Sequence, residues 1–358
     1  RARARDRVCA VRRGGVEGVL IVEEARLTRD SLRYGFAVGK VKVLETRTLD
    51  ASAYERLLDA PSFAEQKRLL SETPYGRYLE DAETPDDVEH ALDEALENFY
   101  GFLKAAALPE PVMRFFRLRY DYSNFKAVAK AEAVGASRAG LFVDHGTIPR
   151  ESFENDLSAL PEPLGSLAST LALGPSEASG VSETLPQDPA AVDTLVDKAM
   201  FAELLRTAKA SRSSFLVDLS RLAIDLANLK TMVRARRSGA GTETMLAWLI
   251  DGGTVPLSTF ASLSELPPES VASALSRVPA LRSLSGVQLT EVATLDEKLD
   301  QVTFAALRRG RMGEVGPEPV IAYVFGREAE VATLRVLLLG KMTGIDRETL
   351  RRHVGARG

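Results

Sequence analysis

Three segments of the chain, about 105 residues apart, carry one side-chain pattern. They are Asp121-Tyr122-Ser123-Asn124-Phe125-Lys126, Asp225-Leu226-Ala227-Asn228-Leu229-Lys230 and Glu330-Val331-Ala332-Thr333-Leu334-Arg335. In each, an acid stands three residues before an amide or hydroxyl, and a base follows two residues later. A glycine stands eleven residues past the central position every time: Gly135, Gly239 and Gly344. A period this long with internal landmarks means one helical unit used three times. The expected fold is therefore all-α, with three similar helical domains in pseudo-threefold arrangement. A body of that kind, lacking assembled chemistry, points to a mechanical part and away from a catalyst.

Other landmarks keep the register. Asp93 and Asp197 each lie 31 residues before the motif asparagine, and Asp300 lies 33 before Thr333. After the glycine, the first two copies carry Asp144-His145-Gly146-Thr147-Ile148-Pro149 and Asp251-Gly252-Gly253-Thr254-Val255-Pro256. The third copy ends before that feature. The expected division is a basic extension over residues 1–30, then repeats over 31–150, 151–257 and 258–358.

Composition narrows the function classes. A net charge of −4 offers no basic field for nucleic acid. The single cysteine, Cys9, allows no internal disulfide and fits a reducing compartment. His90, His145 and His353 have no Cys or His at ligand spacing, so no metal or cofactor is expected. No apolar run approaches the roughly 20 residues that cross a bilayer. The Arg-rich start has no apolar core of the kind a secretory signal requires.

Helix signals dominate. Thr84-Pro85-Asp86-Asp87 is a cap, a first-turn proline and first-turn acids, followed by Val88, Leu92, Ala95, Leu96, Phe99 and Leu103 on one face. Asp188-Pro189 opens the corresponding helix of the second copy, and Thr294-Leu295-Asp296-Glu297 reads as a capping box opening that of the third. Each motif helix is expected to end at the shared glycine, whose tolerance of positive φ suits a C-cap. Short helical turns are expected next, over 137–144, 243–251 and 346–353. The stretch 36–48 has strand-like alternation, while 168–186 and 308–319 read as surface loops.

The motif admits two readings. Asp121, Asn124, Asp225 and Asn228 could serve acid–base chemistry. Alternatively, each pair shares a helix face and ties that helix to a neighbour, with Lys126, Lys230 and Arg335 solvated or salt-bridged. Glu330 and Thr333 keep the hydrogen-bonding capacity and not the chemistry, which favours the tie. Gly340-Lys341-Met342-Thr343 misses the phosphate-loop pattern at its upstream glycine and at the residue after the lysine.

The run from Glu318 to Arg335, with Pro319 four residues ahead of Tyr323 and then Arg327-Glu328, resembles the C-terminal signature of the central-stalk connector of rotary V-type and A-type ATPases. That family is known as the C subunit in archaeal and bacterial enzymes and as the d subunit in eukaryotes. Val196-Asp197-Lys198 with Phe201, the two Asp-x-x-Asn helices and Leu70-Ser71-Glu72-Thr73-Pro74-Tyr75-Gly76 are similar to its other landmarks. The resemblance spans residues 32–353. It implies an all-α funnel of three similar domains, seated on the cytoplasmic mouth of the proteolipid rotor ring and receiving central shaft subunits of D and F type. A connector of this kind performs no catalysis itself. The resemblance also implies that 36–48 leads into the first helix and is no strand. Leu141, Phe142, Leu246, Trp248, Leu249 and Leu350, in the short segments after each glycine, become candidate ring-facing contacts. The same side chains could instead close each domain's core.

Two rival classes stay open on sequence. A helical-repeat scaffold outside the rotary machines would have units of about 33 to 47 residues, far shorter than these. A helical enzyme with a phosphate pocket would show ligand-dependent stabilisation.

Overall fold

The computed structural model describes residues 29–106, 108–133, 136–137, 141–171, 189–285, 292–313 and 316–354. The basic start up to residue 28, Gly135, Asp188 and most of the 168–186 loop fall outside them; its described part is no surface loop, since 168–170 end a helix and Ala168 and Leu171 are buried in a core cluster. The described residues form helices and no strand. In chain order the α-helices are α1 (Arg29–Glu45), α2 (Ala51–Asp59), α3 (Phe63–Leu70), α4 (Gly76–Leu79), α5 (Pro85–Ala105) and α6 (Glu110–Ala133). There follow α7 (Arg150–Glu154), α8 (Leu164–Thr170), α9 (Pro189–Ala210), α10 (Ser214–Ser238) and α11 (Thr242–Trp248). The last five are α12 (Leu257–Glu265), α13 (Pro268–Leu275), α14 (Val292–Arg311), α15 (Glu318–Met342) and α16 (Arg347–Val354).

Local chemistry explains the boundaries. Thr84 and Asp87 form the complete capping box at the start of α5, with Pro85 in its first turn. Behind it Val88, Leu92, Ala95, Leu96, Phe99 and Leu103 are all buried. The alternation at 36–48 does not make a strand: α1 covers most of it and buries Tyr34, Ala37, Val38 and Val41 at helical spacing. The loop expected at 308–319 is shorter than its composition suggests. Arg308 to Arg311 complete α14, and Pro319 sits in the first turn of α15, where a missing N–H costs nothing. Likewise α14 begins at Val292, ahead of the cap expected at Thr294.

The motif helices end alike. Gly239 caps α10 with φ 71°, and Gly344 follows α15 with φ 76°. At all three ends the residue after the shared glycine donates back five residues: Ala136 to Ala131, Ala240 to Ala235 and Ile345 to Gly340, at 2.8, 3.0 and 2.8 Å. This is the long bond of a Schellman cap, which satisfies a carbonyl that the helix leaves open.

Packing orders the long helices in a cycle. The pairs α5–α6, α9–α10 and α14–α15 are each joined by a short connection. Their joined ends meet in one apolar cluster with α1, including Leu103, Val112, Phe116, Ala208, Leu216, Leu307, Val320 and Val324. Their far ends form three further clusters. One joins α6 to α9 through Tyr122, Phe125, Val192 and Val196. A second joins α10 to α14 through Leu229, Met232, Leu295 and Leu299. The third joins α15 to α5 through Leu334, Leu337, Val88 and Leu92. Each far cluster thus pairs the second helix of one pair with the first of the next, and the last returns to the first. The third cluster is assembled from both ends of the sequence. No helix of the described residues is long and apolar enough to cross a membrane.

Candidate functional site

The repeated acid and amide clamp a loop onto their helix. On α6, Asp121 Oδ1 accepts the N–H groups of Thr147 and Ile148 at 2.8 and 3.0 Å, and Oδ2 accepts the Thr147 hydroxyl at 2.6 Å. On α10, Asp225 accepts the N–H groups of Thr254 and Val255, both at 3.0 Å, one on each oxygen. One turn along, Asn124 Nδ2 donates to the Val143 carbonyl while its Oδ1 accepts the Val143 N–H, both at 2.9 Å. Asn228 does the same to Ile250, both at 2.8 Å. The amide here substitutes for a missing strand partner, satisfying both backbone groups of one residue.

The glycine before each threonine follows from this clamp. A Cβ on Gly146 would stand 2.1 Å from Asp121 Oδ1, and one on Gly253 would stand 2.1 Å from Asp225 Oδ1. Only a residue without a side chain lets the carboxylate come so close. Burial pushes the carboxyls of Asp121 and Asp225 above the ordinary aspartate value, against the pull of these hydrogen bonds. A raised carboxyl can mark a catalytic acid. Here both groups are buried and engaged by backbone donors, which leaves no approach for a substrate.

In the third copy the acid reaches elsewhere in sequence and performs the same act. Glu330 Oε2 accepts the Leu49 N–H at 2.9 Å, and Oε1 accepts from the Tyr75 hydroxyl and from Arg327. Leu49 directly precedes Asp50, the N-cap of α2. Ile148 and Val255 directly precede Pro149 and Pro256, the N-caps of α7 and α12. All three acids therefore hold the backbone just ahead of a short helix, and in the third case that helix comes from the beginning of the chain. Thr333 does not replace the amide; its hydroxyl donates to Ala329 in its own helix.

The bases complete the cycle. Lys126 Nζ lies 2.6 Å from Asp197 and 3.5 Å from Asp193 on α9. Lys230 reaches Asp296 on α14 at 2.8 Å. Arg335 reaches Asp93 on α5 at 2.7 Å, and Glu89 beside it. The acids that mark each repeat thus sit on the helix that packs against the preceding repeat's motif, either directly or four residues away.

Two further networks gather around the buried side chains of Glu328 and His145, and spacing did not reveal their partners. Glu328 accepts from Tyr100 and pairs with Arg119, joining α15, α5 and α6. His145 stands with Nε2 3.2 Å from Asp93 and Nδ1 3.5 Å from Glu97, while its carbonyl accepts from Arg117 at 2.8 Å. Gly340, in the phosphate-loop near miss, lies inside α15, with Leu350 filling the space where its Cβ would be.

The segments after the caps separate into two groups. Leu141 and Leu246 are 40% and 36% exposed, and Ile345, directly after Gly344, is 44% exposed. Phe142 is half-buried 6.2 Å from the Phe153 ring, and Trp248 is half-buried against the α10–α14 cluster. Leu249 and Leu350 are only 2% and 1% exposed and belong to cores. The short turns expected after each glycine appear as α11 and α16, while residues 141–143 of the first copy are not helical.

The ATP synthase (C/AC39) subunit family model matches residues 37–353. The chain belongs to that family. Among curated relatives, the C subunit of the V-type ATP synthase of Thermus thermophilus is 30% identical over 90% of this chain and 98% of its own length. The C subunit of the A-type ATP synthase of Thermococcus onnurineus is 25% identical over 92% of each chain. That of Methanococcoides burtonii is 23% identical over 90% of this chain and 94% of its own. Membership in the C/AC39 family makes this chain a subunit of a rotary ATPase complex, and the repeat that spacing revealed runs through the matched region.

Proposed function

We propose that this chain is a non-catalytic connector, seating the central shaft on the cytoplasmic face of the membrane proteolipid ring during ATP-linked ion transport. The observation that carries the reading is the cyclic order of its ties. Three motif helices each grip the helix that follows in the cycle, and the third grips the first, an order that suits a closed body of pseudo-threefold form. A closed cycle of close-packed helices resists twisting, because dense interiors transmit strain instead of absorbing it. A coupling between unlike partners needs that stiffness.

The ring-facing surface, on this reading, is the set of apolar side chains left exposed just past each motif helix: Leu141, Leu246 and Ile345. They occur once per repeat, which suits docking on a ring of identical subunits. Phe142 and Trp248 would flank them, while Leu249 and Leu350 hold the segments in place from beneath. Shaft subunits of D and F type would enter from the opposite side. Co-purification with a detergent-solubilised proteolipid ring tests the reading: retention of the chain on the ring supports it, and passage without retention refutes it.

A further inference from the structure

Away from the motif loops, a groove of about 920 Å³ runs along α1. One wall is the α1 face bearing Phe36, Lys40 and Val43, with Arg47 in the turn just past its end; Phe99 and Phe102 of α5 form the floor, and α4, carrying Arg77 and Tyr78, closes the far side. Phe36 and Val43 are 61% and 60% exposed. Residues seven apart lie two turns along one helix face, so these two, with Lys40 between, form a stripe roughly 10 Å long, and Arg47 follows in the turn beyond the helix. Gly35 and Gly39, on the groove side of the same helix, have open space where a Cβ would stand. The backbone of α1 is thus itself approachable.

The groove's charge is one-sided. Lys40, Arg47, Arg77 and Arg327 line it, and among the described residues no carboxylate does, in a chain whose net charge is −4. Arg327 is occupied by Glu330. Lys40 instead lies over the Phe36 and Phe102 rings at 4.5 and 5.4 Å, and Arg77 over the Tyr78 ring at 4.4 Å. Cations parked on aromatic faces in exposed positions are cheaply released to a carboxylate. A small anion would want its donors converging on one point. These are spread from α1 to the turn after it and across to α4.

We propose that this groove receives an amphipathic helix of a partner protein, with an apolar stripe flanked by Asp and Glu. The apolar stripe would cover Phe36, Val43 and Phe102, and the flanking carboxylates would meet Lys40, Arg47 and Arg77, as in other helix-in-groove contacts. The inference rests on the groove alone and does not depend on which assembly the chain joins.

The test uses the full chain and two fluorescein-labelled 18-residue helical peptides, each with a leucine stripe, one flanked by glutamate and the other by lysine. Fluorescence anisotropy should show the glutamate peptide binding at least tenfold more tightly than the lysine peptide, with an affinity that weakens as salt rises. K40E/R77E should weaken the glutamate peptide at least tenfold, and F36D likewise. These side chains are exposed, and an unchanged thermal midpoint verifies the fold. Equal binding of both peptides, no binding of the glutamate peptide at millimolar concentration, or unaltered binding by both variants overturns the proposal. So does capture by phosphatidylserine vesicles that K40E/R77E abolishes while neither peptide binds, which would make the face a membrane contact.

Discussion

Glu330 accepts the backbone N–H of Leu49 at 2.9 Å, although 281 positions separate them in sequence. The contact is the third member of a set whose other members are Asp121 with Ile148 and Asp225 with Val255, separated by 27 and 30 positions. The short helix held by the third motif, α2, therefore comes from the start of the chain. The extra methylene of glutamate spans a junction that the aspartates of the first two copies make through a continuous loop.

The two aspartates should respond differently to an isosteric amide. In D121N the amide oxygen can keep both N–H bonds on the one oxygen that now receives them, while the new NH2 meets the Thr147 hydroxyl, which can turn to accept. In D225N the two backbone donors sit on different oxygens, so one must face an NH2 group. Denaturant unfolding should show a loss of about 1 kcal/mol or less for D121N and about 2–3 kcal/mol for D225N.

The raised carboxyls set a pH dependence of definite sign. Asp225 binds its proton more tightly in the folded chain than at the unfolded value of 3.8. Its contribution to stability is therefore greatest below 3.8 and is lost as pH rises through the higher folded value. A carbon-detected NMR titration should place the Asp225 midpoint above 3.8, and subtracting the D225N stability profile should leave a contribution that falls with pH across that window. A midpoint below 3.8 would contradict the burial argument.

The glycines of the clamp should be intolerant. G146A and G253A each force a Cβ to within 2.1 Å of a carboxylate oxygen, so the loop or the acid must move. Each should cost about 1–3 kcal/mol. G253A combined with D225A should cost less than the sum of the single changes, because the clash disappears with the carboxylate.

Side chains beside one another in the short segments should separate by role. L249A and L350A remove core packing and should cost about 2–5 kcal/mol. L141D and L246D alter exposed positions and should leave the free energy of unfolding within about 0.5 kcal/mol of the parent.

Much of this was legible in the sequence because it is local. Caps, helix faces and the spacing of acid, amide, base and glycine depend on neighbours a few residues away, and Thr84, Gly239 and Asp225 behave as their patterns imply. The partners of those groups were not legible. Nothing in spacing shows that Lys126 meets Asp197 of the following repeat, or that Arg335 returns to Asp93, since such pairings arise from tertiary closure. The short segments show the same limit. Periodicity marks Leu246, Trp248, Leu249 and Leu350 as apolar, but only the packing of α10–α14 and of α15–α5 decides which of them solvent can reach. His145 and Glu328 lie within marked segments, but their partners were not legible; each is fixed by side chains distant in sequence.

Docking on the ring is read most directly from the affinity of the chain for a detergent-solubilised proteolipid ring, before and after L141D/L246D/I345D. If these side chains seat the chain on the ring, the triple variant should bind at least tenfold more weakly at an unchanged thermal midpoint. Undiminished binding by a folded triple variant would contradict that seating.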